Sequence, residues 1–170
     1  EHMKVEDSSK VSLKNKTIVI TGASRGIGLA IALRCAREGA NVAILAKTSS
    51  THPKLPGISV KLRHDLHSSR IDNKTGGKAL PLQCDIRSEE QIKKSIEKVV
   101  EVFGGIDILV NNASALDWKG TMDQDLKKYD LMHGVILKGT FATTKYCLPH
   151  LLKSSNPHIL NICFPPGHYD

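Results

Sequence analysis

Three closely spaced glycines, Gly22, Gly26 and Gly28, lie between an apolar β-branched run at residues 17–20 and a helix-forming stretch at residues 29–33. A strand, a glycine-rich turn and a helix in direct succession are typical of a βαβ unit that binds a dinucleotide. In such a unit the first glycine permits a tight turn, the second lets backbone N–H groups approach a pyrophosphate, and the third allows close packing of the helix. The N-terminus of the helix adds positive potential. A purely structural glycine turn is the alternative interpretation.

The remainder of the chain continues to alternate strands and helices. Further strands are predicted at residues 41–46, 79–84, 106–110 and 159–162, and further helices at residues 88–103 and from 126 to about 153. Ser88 followed by Gln91 is a capping-box pattern. Because parallel neighbours need crossover connections, this alternation predicts an α/β fold, a Rossmann-type doubly wound parallel sheet in three α/β/α layers. We expect residues 1–11 to be a vector-derived remnant and disordered leader, and residues 12–170 to form one dinucleotide-binding domain.

Composition limits the classes of partner. The net charge is +7, and basic residues cluster between Lys61 and Lys74, which indicates a solvated loop or a phosphate-binding surface. A nucleic-acid binder is the third alternative for this segment, and we expect no nucleic-acid partner. The four cysteines form no CxxC pair, so neither zinc nor a disulfide framework is predicted, and His64 with His67 lacks a third ligand. No apolar run approaches about 20 residues, so we expect no membrane span and a soluble, intracellular protein.

Polar residues follow the predicted strands at the edge of the sheet where ligands bind in open α/β folds. Asp85 ends the third strand, and the residues Asn111, Asn112 and Ala113 follow the fourth. After the second strand stands Lys47, where an acidic residue would bind the ribose of NAD and repel a 2′-phosphate. Lys47, together with Arg25 in the turn, therefore predicts a preference for NADP(H) over NAD(H). The alternative is that both cations are solvated surface residues.

These motifs resemble a known family. The pattern T-G-x-x-x-G-x-G at residues 21–28, with N-N-A at residues 111–113, is similar to that of the classical short-chain dehydrogenases/reductases, and the likeness runs from residue 12 to residue 162. Ala46-Lys47-Thr48 with residues 52–55 resembles the hydroxysteroid dehydrogenase-like branch. The resemblance implies an oxidoreductase that moves a hydride between a nicotinamide and a carbonyl or secondary alcohol. It also implies a cytoplasmic location, or an organellar one in the peroxisome or mitochondrion.

By resemblance, the cofactor-binding residues fall into three groups. The phosphates would be held by Gly22, Ser24, Arg25, Gly26, Ile27 and Gly28. The adenine would be flanked by Asp85 and Ile86, and the nicotinamide side would be lined by Asn111, Asn112 and Ala113. Ser114 departs from the family pattern, which usually has glycine there.

The catalytic residues of the family have no counterpart here. The family uses a tyrosinate, a lysine four residues later, a serine and an asparagine. No Tyr-x-x-x-Lys occurs in the 170 residues, since Tyr129 and Tyr146 are each followed at that spacing by histidine and Tyr169 stands one residue from the end. Ile136 takes the place of the asparagine. Cys163 takes the place of the serine and is the one catalytic candidate.

Members of the family continue beyond the equivalent of Asp170 through another helix and two more strands. We therefore expect a fragment or a truncated form that lacks the last strands of the family fold and transfers negligible hydride. The alternative function is that of a non-catalytic truncated isoform, acting as a cofactor-binding or dimer-partner module. An apolar face left open on the helix that starts at residue 126 would favour a homo-oligomer.

Overall fold

The computed structural model describes residues 12–47 and 77–163. The leader at 1–11, Thr48, residues 52–55, the basic segment 61–74 and Tyr169 lie outside the described residues. The strands are β1 (Thr17–Thr21), β2 (Asn41–Ala46), β3 (Ala79–Gln83), β4 (Ile108–Asn111) and β5 (His158–Asn161). The helices are α1 (Gly26–Arg37), α2 (Glu89–Phe103), α3 (Leu126–Met132) and α4 (Thr140–Leu151), with a 3-10 turn at Thr121–Asp123 and a π-helical segment at His133–Gly139 between α3 and α4.

The five strands form one parallel sheet in the order β3-β2-β1-β4-β5. Ile18 pairs with Val42 on one side and with Ile108 on the other, so β1 is the central strand. The chain first winds outward through β2 and β3 and then returns to the other side of β1. The predicted doubly wound sheet is confirmed, and its topological switch point lies between the carboxyl ends of β1 and β4.

Side chains that alternate along the strands pack into two separate cores. Ile18 and Ile20 of β1 join the core beneath α1, whereas Val19 joins the core beneath α2 and α4. Every residue of β1 is buried, as expected for a strand covered on both faces. The predicted three-layer α/β/α arrangement is confirmed by these two cores.

The long helix predicted from residue 126 to about 153 is a helix with a wide π-helical turn in its middle. At this turn Gly139 packs so closely on the loop after β3 that an added Cβ would lie 2.6 Å from Cδ1 of Ile86. The hydroxyl of Thr143 also donates a hydrogen bond of 2.8 Å to the carbonyl of Gly139. Contact with a distant loop therefore accompanies the widened turn, and the periodicity of the helix alone does not show it.

The capping box is only half formed. Ser88 caps α2, because its hydroxyl accepts a hydrogen bond from the backbone N–H of Gln91. The Gln91 side chain does not return to the backbone of Ser88, whose N–H already donates to the carbonyl of Asp85. Its Oε1 instead accepts from the backbone N–H of Asp85 at 2.9 Å. The predicted hydrogen bond between the Gln91 side chain and the backbone of Ser88 is therefore wrong. The Gln91 side chain instead holds the loop after β3.

None of the helices in residues 12–47 and 77–163 combines the length and apolarity that a membrane crossing requires.

Candidate dinucleotide site

The turn after β1 is held against two neighbouring strand ends. The backbone N–H of Gly22 donates a 2.7 Å hydrogen bond to the carbonyl of Leu45. Gly22 has a φ of +67°, and an added Cβ would lie 2.7 Å from Cα of Ala113. Both the left-handed backbone and the close approach require glycine, so this turn is tied to β2 and to the segment after β4.

The next glycine faces open space. Gly26 has a φ of +57°, and an added Cβ would meet nothing within 4 Å among the described residues. Arg25 precedes it in extended conformation at the N-cap of α1, with no side-chain capping bond and no acidic residue in the first turn. The first N–H groups of a helix have no acceptor within the helix. They therefore leave a positively polarised helix start at the carboxyl edge of the sheet, which suits an anion.

Thr21, which sequence reasoning did not select as a site residue, joins β1 to the segment after β4. Its buried hydroxyl accepts hydrogen bonds from the backbone N–H groups of Asn112 and Ala113, at 3.0 and 3.1 Å. The Asn112 side chain returns the contact, since its Nδ2 donates to the carbonyls of Thr21 and Gly22 at 3.0 and 3.2 Å. Both amide hydrogens of Asn112 are thus used to hold the glycine turn. The threonine of the T-G-x-x-x-G-x-G pattern was the signal for this role.

Gly28 makes room for this amide. An added Cβ on Gly28 would lie 2.4 Å from Nδ2 of Asn112 and 2.9 Å from Cα of Ala23. The third glycine of the motif therefore permits not only close packing of α1 but also the bonds from Asn112 to the turn.

Asn111, the other predicted asparagine, is 5% exposed and lies between β4, β5 and α4. Its Nδ2 donates to Oδ1 of Asn161 at 2.9 Å and to the hydroxyl of Thr144 at 3.2 Å. Its Oδ1 is buried and has no hydrogen-bond partner within the described part of the chain. The amide of Asn111 thus connects the end of β4 to β5 and α4.

Three charged side chains meet beside the ends of β2 and β3. Arg87 Nε donates to both carboxylate oxygens of Asp85, at 2.9 and 3.1 Å, and Arg87 Nη2 lies 2.5 Å from Oδ2. The Nζ of Lys47 lies 3.7 Å from the same Oδ2. The hydrogen bonds from Arg87 lower the pKa of Asp85 to about 2, against burial, which raises it. Asp85 is therefore ionised at neutral pH.

The other predicted cofactor residues differ in exposure. Arg25 is exposed and forms no ion pair within residues 12–47 and 77–163. Ile27 is also exposed and Ser24 is half-buried, both beside the open Gly26. The Ile86 side chain is buried in the core against Gly139, so only its backbone can face a ligand.

Tyr129 and Tyr146, the tyrosines among the described residues, each contact a group other than a lysine four residues later. Tyr146 donates a 2.6 Å hydrogen bond to Glu89, and this bond raises the pKa of Tyr146, which disfavours the tyrosinate. Tyr129 stacks on His133 with ring centroids 4.4 Å apart. Ile136 lies in the π-helical segment, and Cys163 is exposed after β5. Among the described residues no group of three His, Cys, Asp or Glu side chains could hold a metal.

Comparison with known proteins identifies the family. The family model described as short chain dehydrogenase matches residues 16–169. The chain belongs to the short-chain dehydrogenase family. Members of this family are oxidoreductases that use NAD(P) and act on small molecules.

Individual relatives agree with this assignment. Hydroxysteroid dehydrogenase-like protein 2 of Danio rerio is 56% identical over 149 residues, which cover 88% of this chain and 34% of that protein. A short chain dehydrogenase of Mycobacterium thermoresistibile is 46% identical with a TM-score of 0.80, covering 93% of this chain and 54% of the other. An NAD+-bound xylitol dehydrogenase is 27% identical with a TM-score of 0.70, covering 88% and 53%. The resemblance to the hydroxysteroid dehydrogenase-like branch is confirmed, and the chain spans about a third of that curated relative.

Proposed function

We propose that this chain binds NADP(H) at the carboxyl ends of β1, β2 and β4. The observation that carries the proposal is the start of α1, which has no side-chain cap and where a Cβ added to the left-handed Gly26 would meet no atom of the described residues within 4 Å. A pyrophosphate would accept hydrogen bonds from these groups and gain from the positive end of the helix. The phosphate-holding residues would be Gly22, Ser24, Arg25, Gly26, Ile27 and Gly28.

The rest of the cofactor would extend to both sides of the switch point. The adenine would lie beside Asp85 and the backbone of Ile86. The nicotinamide would lie near Asn111, Asn112 and Ala113, with the two asparagines shaping the crevice through their bonds to neighbouring strands. The complete protein would transfer a hydride between this nicotinamide and a carbonyl or secondary alcohol.

The preference for NADP(H) rests on the charge at the end of β2. Lys47 is exposed there, in the position where an acidic side chain would repel a 2′-phosphate, and Arg25 is an exposed cation in the adjacent turn. Among the described residues Asp85 is the acidic residue that pairs with Lys47, but its charge is opposed by Arg87. The formal charges of Lys47, Arg87 and Asp85 add up to one positive charge, which favours binding of the additional 2′-phosphate.

Calorimetric titration of the 170-residue chain with NADPH and with NADH tests this proposal. We expect NADPH to bind at micromolar concentration and NADH at least about ten-fold more weakly. Lys47→Glu should abolish or reverse that preference. Lys93→Glu, which makes the same charge change at an exposed position of α2, is the matched control and should keep it. Equal affinity for both cofactors would refute the preference, and binding of neither would refute the cofactor site.

We also propose that these 170 residues bind the cofactor without catalysing rapid hydride transfer. The carbonyl oxygen of a substrate must gain a proton as hydride arrives, and the tyrosine that donates this proton in the family has no Tyr-x-x-x-Lys counterpart in the printed sequence. Cys163 offers only a weak hydrogen-bond donor. Rapid oxidation of NADPH by the same samples with carbonyl compounds would contradict this proposal.

A second candidate function is that of a cofactor-binding or dimer-partner module. The observation in its favour is a stripe of exposed apolar side chains along the π-helical segment, α4 and the C-cap of α4, namely Leu137, Phe141, Leu148 and Leu152. A homo-oligomer formed through this stripe would cover them.

The location of the protein in an intracellular compartment stays a prediction.

A further inference from the structure

Arg87 makes several hydrogen bonds to Asp85, more than a simple surface ion pair would. The guanidinium contacts both carboxylate oxygens, and the backbone N–H of Arg87 donates a further hydrogen bond of 3.1 Å to Oδ1. These bonds occupy most of the acceptor positions of the carboxylate. The Asp85 side chain is 19% exposed, so the pair lies partly shielded from water at the edge of the sheet.

The hydrogen-bonded pair of Arg87 and Asp85 is called the clamp below. Both of its residues also contact neighbouring elements. The backbone N–H of Asp85 is fixed by the side chain of Gln91 in the first turn of α2. The aliphatic part of Arg87 lies over Gly134 in the π-helical segment, where an added Cβ would lie 3.6 Å from Cγ and Cδ. The pair is therefore positioned by α2 on the side of Asp85 and lies beside the π-helical segment on the side of Arg87.

Lys47 is the alternative partner of the same carboxylate. Its Nζ stands 3.7 Å from Oδ2, beyond a hydrogen bond, and its side chain is 70% exposed. If Arg87 were absent, the ionised Asp85 would remain 3.7 Å from this lysine without its other cationic partner. The ammonium would then be drawn to Asp85, and a cofactor phosphate would have to compete with a resident carboxylate.

We propose that Arg87 determines the cofactor preference by occupying the Asp85 carboxylate, so that Lys47 stays available to the 2′-phosphate. This inference rests on the proposed NADP(H) binding. Arg87 is a specificity-determining positioning residue here, since it acts through Asp85 and Lys47. Substitution of Arg87 should therefore weaken the binding of the 2′-phosphate. It should change little the binding of the adenosine and 5′-phosphate portion that both cofactors share.

Two fragments of the cofactors separate these portions. Adenosine 2′,5′-bisphosphate carries the 2′-phosphate, and adenosine 5′-monophosphate lacks it. We would measure the dissociation constants of both fragments with the full 170-residue chain. The quantity compared between variants is the dissociation constant of the 5′-monophosphate divided by that of the 2′,5′-bisphosphate. In Arg87→Gln we expect the ratio to fall at least about five-fold, mostly through weaker binding of the bisphosphate.

A second substitution distinguishes this mechanism from a general weakening of the loop. Asp85→Asn in the Arg87→Gln background removes the carboxylate that would capture Lys47, and we expect the ratio to return to the unsubstituted value or above. If Arg87 only supported the loop, both fragments would weaken together and the second substitution would rescue nothing. Either result would overturn the proposal.

Failure of the proposed function gives a different result. An unsubstituted chain that binds both fragments equally would refute NADP(H) preference itself, whereas preserved preference in Arg87→Gln would refute only the role of Arg87. If Arg87→Gln does not fold, as judged by circular dichroism, Arg87→Lys replaces it. A lysine keeps the charge but cannot bond both oxygens in the same way, so the ratio should then fall below that of the unsubstituted chain. A ratio in Arg87→Lys equal to that of the unsubstituted chain would count against the proposal.

Discussion

Gly26 and Gly104 share a left-handed backbone but differ in what surrounds them. Their φ angles are +57° and +85°, and an added Cβ at either would meet nothing within 4 Å among the described residues. Gly104 is the C-cap of α2, where such a conformation is common. Gly26 starts α1 at the candidate phosphate site. Alanine at Gly104 therefore measures the free-energy cost of the strained backbone alone. Alanine at Gly26 adds the cost of blocking an anion.

Replacing Gly26 with alanine should reduce NADPH affinity, whereas replacing Gly104 with alanine should not. We expect both Gly26→Ala and Gly104→Ala to lower the free energy of unfolding by about 1 to 2 kcal/mol, because a non-glycine residue is strained in this conformation. Only Gly26→Ala should weaken NADPH binding, by at least about ten-fold, since its methyl group would stand where the pyrophosphate approaches the backbone. Denaturant unfolding and calorimetric titration measure the two effects. Equal affinity in both variants would argue against a phosphate at Gly26.

The elements β1 and β4 are joined at their carboxyl ends by the hydroxyl of Thr21. Two backbone N–H groups after β4 depend on this one oxygen as acceptor. The reciprocal bonds from Asn112 hold the turn that begins the candidate site. The junction of two strands and the shape of the crevice thus depend on the same small group of hydrogen bonds.

Thr21→Val should separate this hydrogen bonding from packing. Valine has nearly the same shape but leaves both N–H groups without their acceptor, so we expect the free energy of unfolding to fall by about 2 to 4 kcal/mol. Thr21→Ser keeps the hydroxyl and removes one methyl group, which should cost about 1 kcal/mol. Urea unfolding followed by circular dichroism compares the two variants. A Thr21→Val chain as stable as Thr21→Ser would show that the hydroxyl contributes little.

At the scale of the whole molecule, the candidate site and the exposed apolar stripe lie on different elements. The stripe residues Leu137, Phe141, Leu148 and Leu152 recur at intervals of four, seven and four along the helix, so they share a face. An apolar surface of this kind is typical of protein contacts.

We expect the 170-residue chain to self-associate through this stripe. Phe141 is 70% exposed, and Phe141→Glu should raise the dissociation constant of the oligomer at least about ten-fold, because a buried charge would replace an aromatic contact. Val102→Glu places the same charge on α2, at an exposed apolar position outside the stripe, and should leave association unchanged. Sedimentation velocity over a range of concentrations measures both. A monomer at all concentrations would contradict the prediction.

Much of the fold could be predicted from the sequence because its signals are local. Apolar periodicity, the glycine turn at residues 21–28 and the Ser88 cap involve residues within a few positions of one another. They predicted all five strands and the alternation that requires parallel pairing. The boundaries differ slightly, as at β4, which begins at Ile108 rather than at residue 106. Before it, Asp107 uses both its backbone and its carboxylate to bond the backbone of Thr17.

The candidate site was only partly predictable, and the part that was missed involves pairs far apart in sequence. The glycines, Lys47 and Asp85 are recognisable from their positions after predicted strands. The bonds of Asn112 to Thr21 span 91 residues, and those of Asn111 to Asn161 span 50. The clamp of Arg87 on Asp85 is local, but its importance depends on Lys47, which β2 brings beside it.

The sequence by itself determined the class of fold, the location of the glycine turn and the residue types at each strand end, because these depend on neighbours along the chain. Only the tertiary structure decided the strand order, the π-helical turn beside Ile86 and the partners of the polar side chains. Most buried amides and carboxylates are hydrogen-bonded, but the residue type alone does not say with which group. That choice is made by packing, which brings residues from separate elements within hydrogen-bond distance.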